Sequence, residues 1–96
     1  MSYTLKFLPS AKKEWDRLDN SVKAQFKAKL TKCLENPRVQ ANKLRGFEHA
    51  YKIKLRSAGY RLVYEVADDE IIVFIIAVGQ RENSAVYSDA EARKSR

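Results

Sequence analysis

Hydrophobic and polar residues alternate most regularly between Tyr51 and Tyr64. This alternation predicts a strand, a tight turn at Ser57-Ala58-Gly59 and a second strand. Pairing Arg56 with Arg61 sets Lys54 opposite Val63 and separates an apolar face from a cationic face. The apolar face holds Ile53, Leu55, Leu62 and Tyr64, and the cationic face holds Lys52, Lys54, Arg56 and Arg61. A shift of the register by one residue would mix the two sets and bury a charge, so the apolar pattern selects this register.

Two helices are predicted before this hairpin, after a short strand over residues 3–8. The first begins at Pro9-Ser10, and its apolar residues recur at spacings of four and three, at Ala11, Trp15 and Leu18. The second follows Asp19-Asn20-Ser21 and ends at Asn36-Pro37, because proline cannot continue a helix. Its apolar stripe consists of Val22, Phe26, Leu30, Cys33 and Leu34. We expect the two helices to form a hairpin that covers one face of a sheet.

Residues 71–78 are apolar at every position, which is typical of a strand covered on both faces. The turn before them is predicted at Asp68-Asp69. Because the helical hairpin covers only one face, the segment after Gly79 is the candidate cover for the other. Residues 84–96 hold few apolar side chains, so a weak helix and a mobile tail both remain open. The order of elements predicts an α+β fold, with a helical hairpin packed on a twisted, mainly antiparallel four-stranded sheet, in one domain over residues 1–96.

The charge of the chain indicates an anionic partner. A net charge of +7 and a pI near 9.7 suit nucleic acid, an acidic protein or a membrane surface. The apolar run at residues 71–78 is far shorter than the roughly 20 residues that span a bilayer. The single cysteine excludes an internal disulfide and suits a reducing compartment, and no signal-peptide pattern is present. We therefore expect a soluble, cytoplasmic protein that does not enter a membrane.

Metal and thiol chemistry are not expected. His49 is the only histidine, and Cys33 lies on an apolar helical stripe, where a structural role is expected. The sequence also lacks a glycine-rich phosphate loop and a Ser/His/Asp combination. We expect no cofactor.

The remaining candidate chemistry is a set of cations with tyrosines: Lys52, Lys54, Arg56, Arg61, Arg81, Tyr60 and Tyr87. Such a set can be a solvated surface, a surface that binds RNA phosphates and bases, or a site of RNA cleavage. In cleavage, the 2′-OH attacks the neighbouring phosphorus and needs a base. A lysine with the ordinary pKa of about 10.4 is a poor base unless nearby positive charges lower that value, and Lys54 has such neighbours. Arg61 and Arg81 stay protonated and are better suited to stabilising negative charge.

A second basic set lies on the second helix and comprises Lys23, Lys27, Lys29 and Lys32. We interpret it mainly as a solvated helix face that can also contact nucleic acid or an acidic partner.

Several segments resemble the RelE toxins of bacterial toxin–antitoxin systems. They are Asn42-Lys-Leu-Arg-Gly46, the whole hairpin from Tyr51 to Tyr64, Val78-Gly-Gln-Arg-Glu82 and Val86-Tyr87, with Lys-Glu-Trp around Glu14 and Asn36-Pro37. The resemblance covers nearly the whole chain and is close to RelE proper. It implies a RelE-like, microbial-RNase-type fold and a type II toxin, a ribosome-dependent endoribonuclease that cuts the mRNA codon in the ribosomal A site and inhibits translation.

The resemblance also assigns residues to roles. It implies that Lys52 and Lys54 are catalytic lysines, with Lys54 the general base, and that Arg61 stabilises the phosphorane. Arg81 corresponds to the residue near the leaving group, and Tyr87 to the tyrosine that stacks on the cut nucleotide. RNA contacts are expected from Arg45, Arg56, Tyr60, Lys23 and Lys27. Gln80 stands where relatives tend to have a further basic residue.

The implied partners are an acidic RelB-type antitoxin, the A site of the 70S ribosome with its rRNA, and mRNA. The antitoxin is expected to wrap the toxin, to be able to displace its C-terminal segment, and to attach the complex to operator DNA. Two alternatives stay open: a ParE-like protein that inhibits DNA gyrase without catalysis, and a plain RNA-binding module.

Overall fold

The computed structural model describes residues 2–80 and 85–93, which form one sheet with helices on both faces. The strands are β1 (Thr4–Phe7), β2 (Ala50–Leu55), β3 (Tyr60–Ala67) and β4 (Ile72–Gln80), and the helices are α1 (Pro9–Asp16), α2 (Asn20–Glu35) and α3 (Ala85–Arg93). The sheet order is β1-β4-β3-β2, with β1 parallel to β4 and the other pairs antiparallel. A short 3-10 helix, Gln40–Asn42, lies between α2 and β2. The predicted α+β class with a mainly antiparallel sheet is confirmed.

The first face of the sheet packs against α1 and α2. The stripe residues Ala11, Trp15, Val22, Phe26 and Leu30 are buried there, as predicted, and Cys33 is buried with them. The ring of Trp15 lies 5.4 Å from that of Phe7 and 6.0 Å from that of Phe26. Pro9 is the first residue of α1, where its fixed φ suits a helix and its missing N–H is not needed. Helix α2 ends at Glu35, just before Asn36-Pro37, because proline cannot continue a helix. Among the described helices, none is long and apolar enough to cross a membrane.

The second face of the sheet packs against α3. Its buried cluster is made largely of small side chains, which let the helix approach the sheet closely: Ala50, Val63, Ile76, Ala77 and Ala90. The segment after Gly79 therefore does cover the second face of β4, as expected. Of the two possibilities for the C-terminal segment, residues 85–93 are helical.

A β-bulge on β4 interrupts the alternation of its side chains. Val63 pairs with Ala77 and Tyr64 with Ile75, so Ile76 is an extra residue opposite β3. As a result Ile76 and Ala77, although adjacent, both belong to the cluster under α3.

The register predicted for the hairpin is wrong by two residues. Lys54 pairs with Arg61, and Leu55 pairs with Tyr60, instead of Arg56 with Arg61. The turn closes one residue earlier on each strand, because Gly59 takes a left-handed conformation with φ of +72° and its N–H donates to the Leu55 carbonyl at 2.8 Å. The shift is even, so every side chain stays on its predicted face.

Candidate active site

The cationic face of the hairpin lies on the same side of the sheet as α3. Tyr51, Ile53 and Leu55 are buried against the helical hairpin, so the alternate residues Lys52 and Lys54 project from the opposite face. Directly across from Lys54 stands Arg61 on β3. Two like charges in this arrangement destabilise a sheet. Among the described residues, no carboxylate forms a salt bridge with the Lys52, Lys54, Arg56 or Arg61 side chains.

Arg61 connects the sheet to α3 through Tyr87. One terminal guanidinium nitrogen donates to the Tyr87 hydroxyl at 2.7 Å, and the guanidinium carbon lies 5.8 Å from the centre of the Tyr87 ring. The Nε of Arg61 is buried and has no hydrogen-bond partner among the described residues. Buried donors are normally paired, so this unpaired N–H shows that the fold holds the Arg61 guanidinium in place at a cost in stability.

The positive charges around Lys54 lower its pKa below the ordinary 10.5. Lys52 contributes most, followed by Arg61, partial burial and Arg56. Each neighbour favours the neutral amine, because the charged form of Lys54 is repelled by them. A lowered pKa is the direction that a lysine acting as a general base requires.

An open cleft of about 290 Å³ adjoins this pair of residues. Its lining includes Lys54, Arg56, Tyr60 and Arg61. The amide of Gln80, at the end of β4, donates to the Tyr60 hydroxyl at 3.4 Å, so this position holds a neutral contact in place of a further cation. Four of the predicted site residues, Lys54, Arg61, Arg56 and Tyr60, thus share one concave surface, and Tyr87 contacts it through Arg61.

A larger groove of about 650 Å³ runs from this surface along the outer edge of β2 toward α2. Its basic lining comprises Lys29, Lys32, Lys52, Lys54 and Arg56. The described lining does not include Lys23, Lys27 or Arg45, which the sequence analysis expected to contact RNA. Lys29 and Lys32, which lie two and five residues after Lys27 on the same helix, are the α2 lysines that line this groove.

Two other sequence candidates differ in position. Arg81 lies outside the described residues and follows β4 directly in the sequence. His49 lies beyond the opposite end of the hairpin, where its Nδ1 is 3.2 Å from a guanidinium nitrogen of Arg38. Within the part of the chain that is described, no group of three metal-ligating side chains occurs. The polar side chains described at the cationic face are amines, guanidiniums and phenols.

Sequence reasoning missed one feature near the site, an ion pair between α1 and α3. Glu14 accepts two hydrogen bonds from Arg93, each 3.0 Å long. A weak signal was present, because Glu14 lies three residues after the buried Ala11 and so borders the apolar stripe of α1.

Comparison with known proteins agrees with this geometry. Residues 5–85 match the family model described as ParE toxin of type II toxin-antitoxin system, parDE. The mRNA interferase toxin RelE of Escherichia coli (strain K12) is 56% identical over 93 residues, which cover 97% of this chain and 98% of that protein. The chain belongs to the RelE toxin family. Within the wider RelE/ParE group, its near-complete match to RelE places it close to RelE proper.

Solved structures of the RelE family share the fold. A doubly substituted E. coli RelE toxin in the free state aligns with a TM-score of 0.91 at 54% identity, covering 99% of this chain and 100% of that one. The toxin in the intact E. coli RelBE toxin–antitoxin complex aligns with a TM-score of 0.82 at 54% identity, covering 85% of this chain and 100% of that one. The expected RelE-like fold is confirmed.

Proposed function

We propose that the protein is the toxin of a type II toxin–antitoxin system and a ribosome-dependent endoribonuclease that cleaves mRNA in the A-site codon. The observation that carries this proposal is the Lys54–Arg61 cross-strand pair, which is bounded by Lys52, Arg56 and Tyr87. Such a like-charge pair does not stabilise the fold. It can stabilise the transition state of a reaction in which negative charge develops on a phosphate. The name mRNA interferase, given to the E. coli relative, supports the same reaction class.

In the proposed reaction, neutral Lys54 removes the proton from the 2′-OH of the nucleotide before the cut. The 2′-oxygen attacks phosphorus, the bond from phosphorus to the 5′-oxygen breaks, and the products are a cyclic phosphate and a 5′-OH. Arg61 stabilises the phosphorane oxygens through the charge and the terminal N–H groups of its guanidinium. Arg81 stabilises the charge on the leaving oxygen, since a guanidinium does not release its proton, and solvent protonates that oxygen.

Lys52 and Tyr87 complete the proposed site. Lys52 contributes most to lowering the pKa of Lys54 and so keeps the base competent. The Tyr87 ring stacks on a base of the cut nucleotide while Arg61 holds its hydroxyl. This is modest acid–base equipment, so the RNA must be oriented by a second agent. We assign that task to the ribosomal A site. Arg56 and Tyr60 would contact RNA from the cleft, and Arg45, Lys23 and Lys27 would contact RNA outside the two described linings.

The proposed regulator is an acidic RelB-type antitoxin. The E. coli relative occurs in a RelBE toxin–antitoxin complex, and a chain with a net charge of +7 attracts an acidic partner. We expect the complex to act in the bacterial cytoplasm and to bind operator DNA through the antitoxin.

Primer extension on programmed ribosomes tests the proposed function. Purified protein is incubated with ribosomes that carry a defined mRNA codon in an empty A site, beside naked mRNA. We expect a cut inside that codon only on ribosomes. The cut should be lost with Arg81→Ala and retained with Lys13→Ala, which removes an exposed lysine of α1. Intact message in every lane, together with gyrase-linked DNA breaks in cells that express the protein, would instead support the ParE-like alternative.

A further inference from the structure

Among the described residues, the edge of β4 next to α1 has no strand partner beyond Ile75. β1 ends at Phe7, which pairs with Ile75, and the last backbone bond on that side joins the Leu8 N–H to the Ile75 carbonyl at 3.0 Å. The bulge at Ile76 follows immediately. Backbone groups at such an edge need other partners, because an unpaired buried N–H or C=O is costly.

Two side chains supply those partners. The Glu14 carboxylate accepts the Val78 N–H at 3.0 Å, and Arg93 donates to the Ile76 carbonyl at 2.9 Å. The same two side chains also join each other through two parallel bonds of 3.0 Å. Glu14 and Arg93 therefore continue the ladder of β4 and form a bidentate pair of the strong, orienting kind. We call this arrangement the Glu14–Arg93 clasp.

The clasp is more enclosed than the other ion pairs of comparable length. Both of its side chains are 22% exposed, against 53% and 55% for Lys12 and Asp16, whose exposed pair lies on α1. Exposed pairs contribute little because water and salt screen them, whereas enclosed, geometrically fixed pairs contribute more.

Tyr87 is one of the side chains that anchor helix α3 to the rest of the protein. The helix has nine residues, and isolated helices shorter than about 12–15 residues are marginal in water. Tyr87, Ala90 and Arg93 follow one another at intervals of three and so lie along one ridge. Tyr87 bonds to Arg61, Ala90 is buried in the cluster under α3, and Arg93 enters the clasp.

We propose that Glu14 is a positioning residue for RNA cleavage, which holds α3 through Arg93 and thereby keeps Tyr87 beside Arg61. This inference rests on the proposed function for its catalytic consequence and on the clasp alone for its structural one. Glu14 lies on α1, across the sheet from the cationic face, and also accepts the Val78 N–H of β4. A glutamine at this position keeps an oxygen that can accept that bond, so Glu14→Gln tests the connection through Arg93 and α3.

A double-mutant cycle with Tyr87 tests this role. If Glu14 acts through Tyr87, Glu14→Gln should lower the rate of A-site cleavage roughly 10- to 100-fold in the natural background, as expected for a misplaced site group. In the Tyr87→Ala background the same change should have an effect of less than about twofold, because nothing remains to be positioned. Asp16→Asn, which breaks the exposed pair on the same helix, is the matched control and should leave the rate unchanged.

Equal effects of Glu14→Gln in both backgrounds, or no effect in the natural one, would overturn the proposal. If urea titration shows that Glu14→Gln does not fold, Arg93→Gln provides a second variant, because it removes the other half of the clasp at the last residue of α3. It is expected to give the same non-additive result with Tyr87→Ala.

A readout without RNA separates this inference from the proposed function. The protein is labelled with carbon-13 at the tyrosine ζ position, and the Tyr87 resonance is assigned with Tyr87→Phe. This resonance should shift in Glu14→Gln, and it should shift in the same direction in Arg61→Gln. Amides of α3 should also exchange faster while those of β3 keep their protection. If the wild-type protein cleaves no RNA but Glu14→Gln shows these spectroscopic and exchange changes, only the proposed function is refuted. An unchanged Tyr87 resonance and unchanged exchange of α3 would refute the clasp.

Discussion

Two arginines at opposite ends of the hairpin make different use of the same side chain. Arg38 donates to the Asp68 carboxylate at 2.6 and 2.9 Å and to the Tyr51 hydroxyl at 3.2 Å. Arg61 also donates to a tyrosine hydroxyl, that of Tyr87, yet it stands opposite Lys54 and keeps an unpaired buried Nε. Strand β3 separates the two by roughly 20 Å.

The difference lies in how the charge is matched. At the Arg38 end, Asp68 accepts from both Arg38 and the Tyr3 hydroxyl, so that region ties β1, the loop after α2 and the β3–β4 turn together. At the Arg61 end, cations face cations. The presence of an arginine therefore does not distinguish a structural site from a functional one in this chain. The candidate site is marked by positive charges that have no carboxylate partner among the described residues.

The largest expected effect is on cleavage and follows removal of the base. Lys54→Ala should lower the rate of A-site cleavage about 10²- to 10⁴-fold, the range for a lost general base. Its free energy of unfolding should stay unchanged or rise, because a like-charge pair is relieved. Single-turnover primer extension and urea unfolding measure the two quantities. A cleavage loss accompanied by a comparable loss of stability would contradict the assignment.

The pH dependence of cleavage tests how the cations act on one another. The reaction requires neutral Lys54, so the rate should rise with pH as that amine deprotonates. Its lowered pKa places the rise below the ordinary 10.5. Lys52→Gln removes the largest cause of the lowering and should move the profile to higher pH. A profile that stays in place, or moves to lower pH, would show that Lys52 does not tune the base.

At the Arg38 end, stability is the expected readout. Tyr64 is buried and its hydroxyl donates to the Pro37 carbonyl at 2.7 Å, so Tyr64→Phe should cost about 1–2 kcal/mol of unfolding free energy. Tyr3→Phe is the matched control, because the Tyr3 hydroxyl is exposed and water can replace it at Asp68. Equal losses in the two variants would argue against a buried bond as the cause.

The smallest expected effect is an acid-dependent contribution from Asp68. The Arg38 hydrogen bond, followed by that of Tyr3, lowers the pKa of Asp68 below the ordinary 3.8. The folded state thus binds this proton less readily than the unfolded state, so the contribution is complete above 3.8 and is lost as the pH falls through the lower, folded-state pKa. The difference in unfolding free energy between wild type and Asp68→Asn should therefore shrink in acid. A difference that stays constant below that range, or one reproduced by Asp69→Asn, would exclude this linkage.

Much of the fold could be predicted from residue patterns, and the failures have physical causes. The prolines indicated the start of α1 and the end of α2. The end of α1 was not predicted, because the helix stops at Asp16 and the last residue of its predicted stripe, Leu18, is buried beyond it. The faces of the hairpin were predicted correctly but its register was not, because a shift of two residues leaves every side chain on its face and the apolar pattern cannot detect it. The bulge at Ile76 is invisible in an unbroken apolar run.

The candidate site was less predictable than the fold. Lys54 could be singled out from its charged neighbours, but its direct pairing with Arg61 depends on the register. The helix α3 stayed undecided, because its anchors are a phenol, an alanine and an arginine rather than an apolar stripe. The Glu14–Arg93 clasp joins residues 79 positions apart, and no local pattern reports such a pair.

The most direct test of this account compares Arg61→Gln with Arg38→Gln, measuring A-site cleavage and unfolding free energy for both. Arg61→Gln should lose about 10²- to 10³-fold in cleavage, as when one donor to a developing anion is removed, while its stability is unchanged or higher. Arg38→Gln should keep cleavage within about twofold and lose stability, because it leaves Asp68 without its main partner. If both variants lose cleavage only in proportion to lost stability, the cationic face is not the site of the reaction.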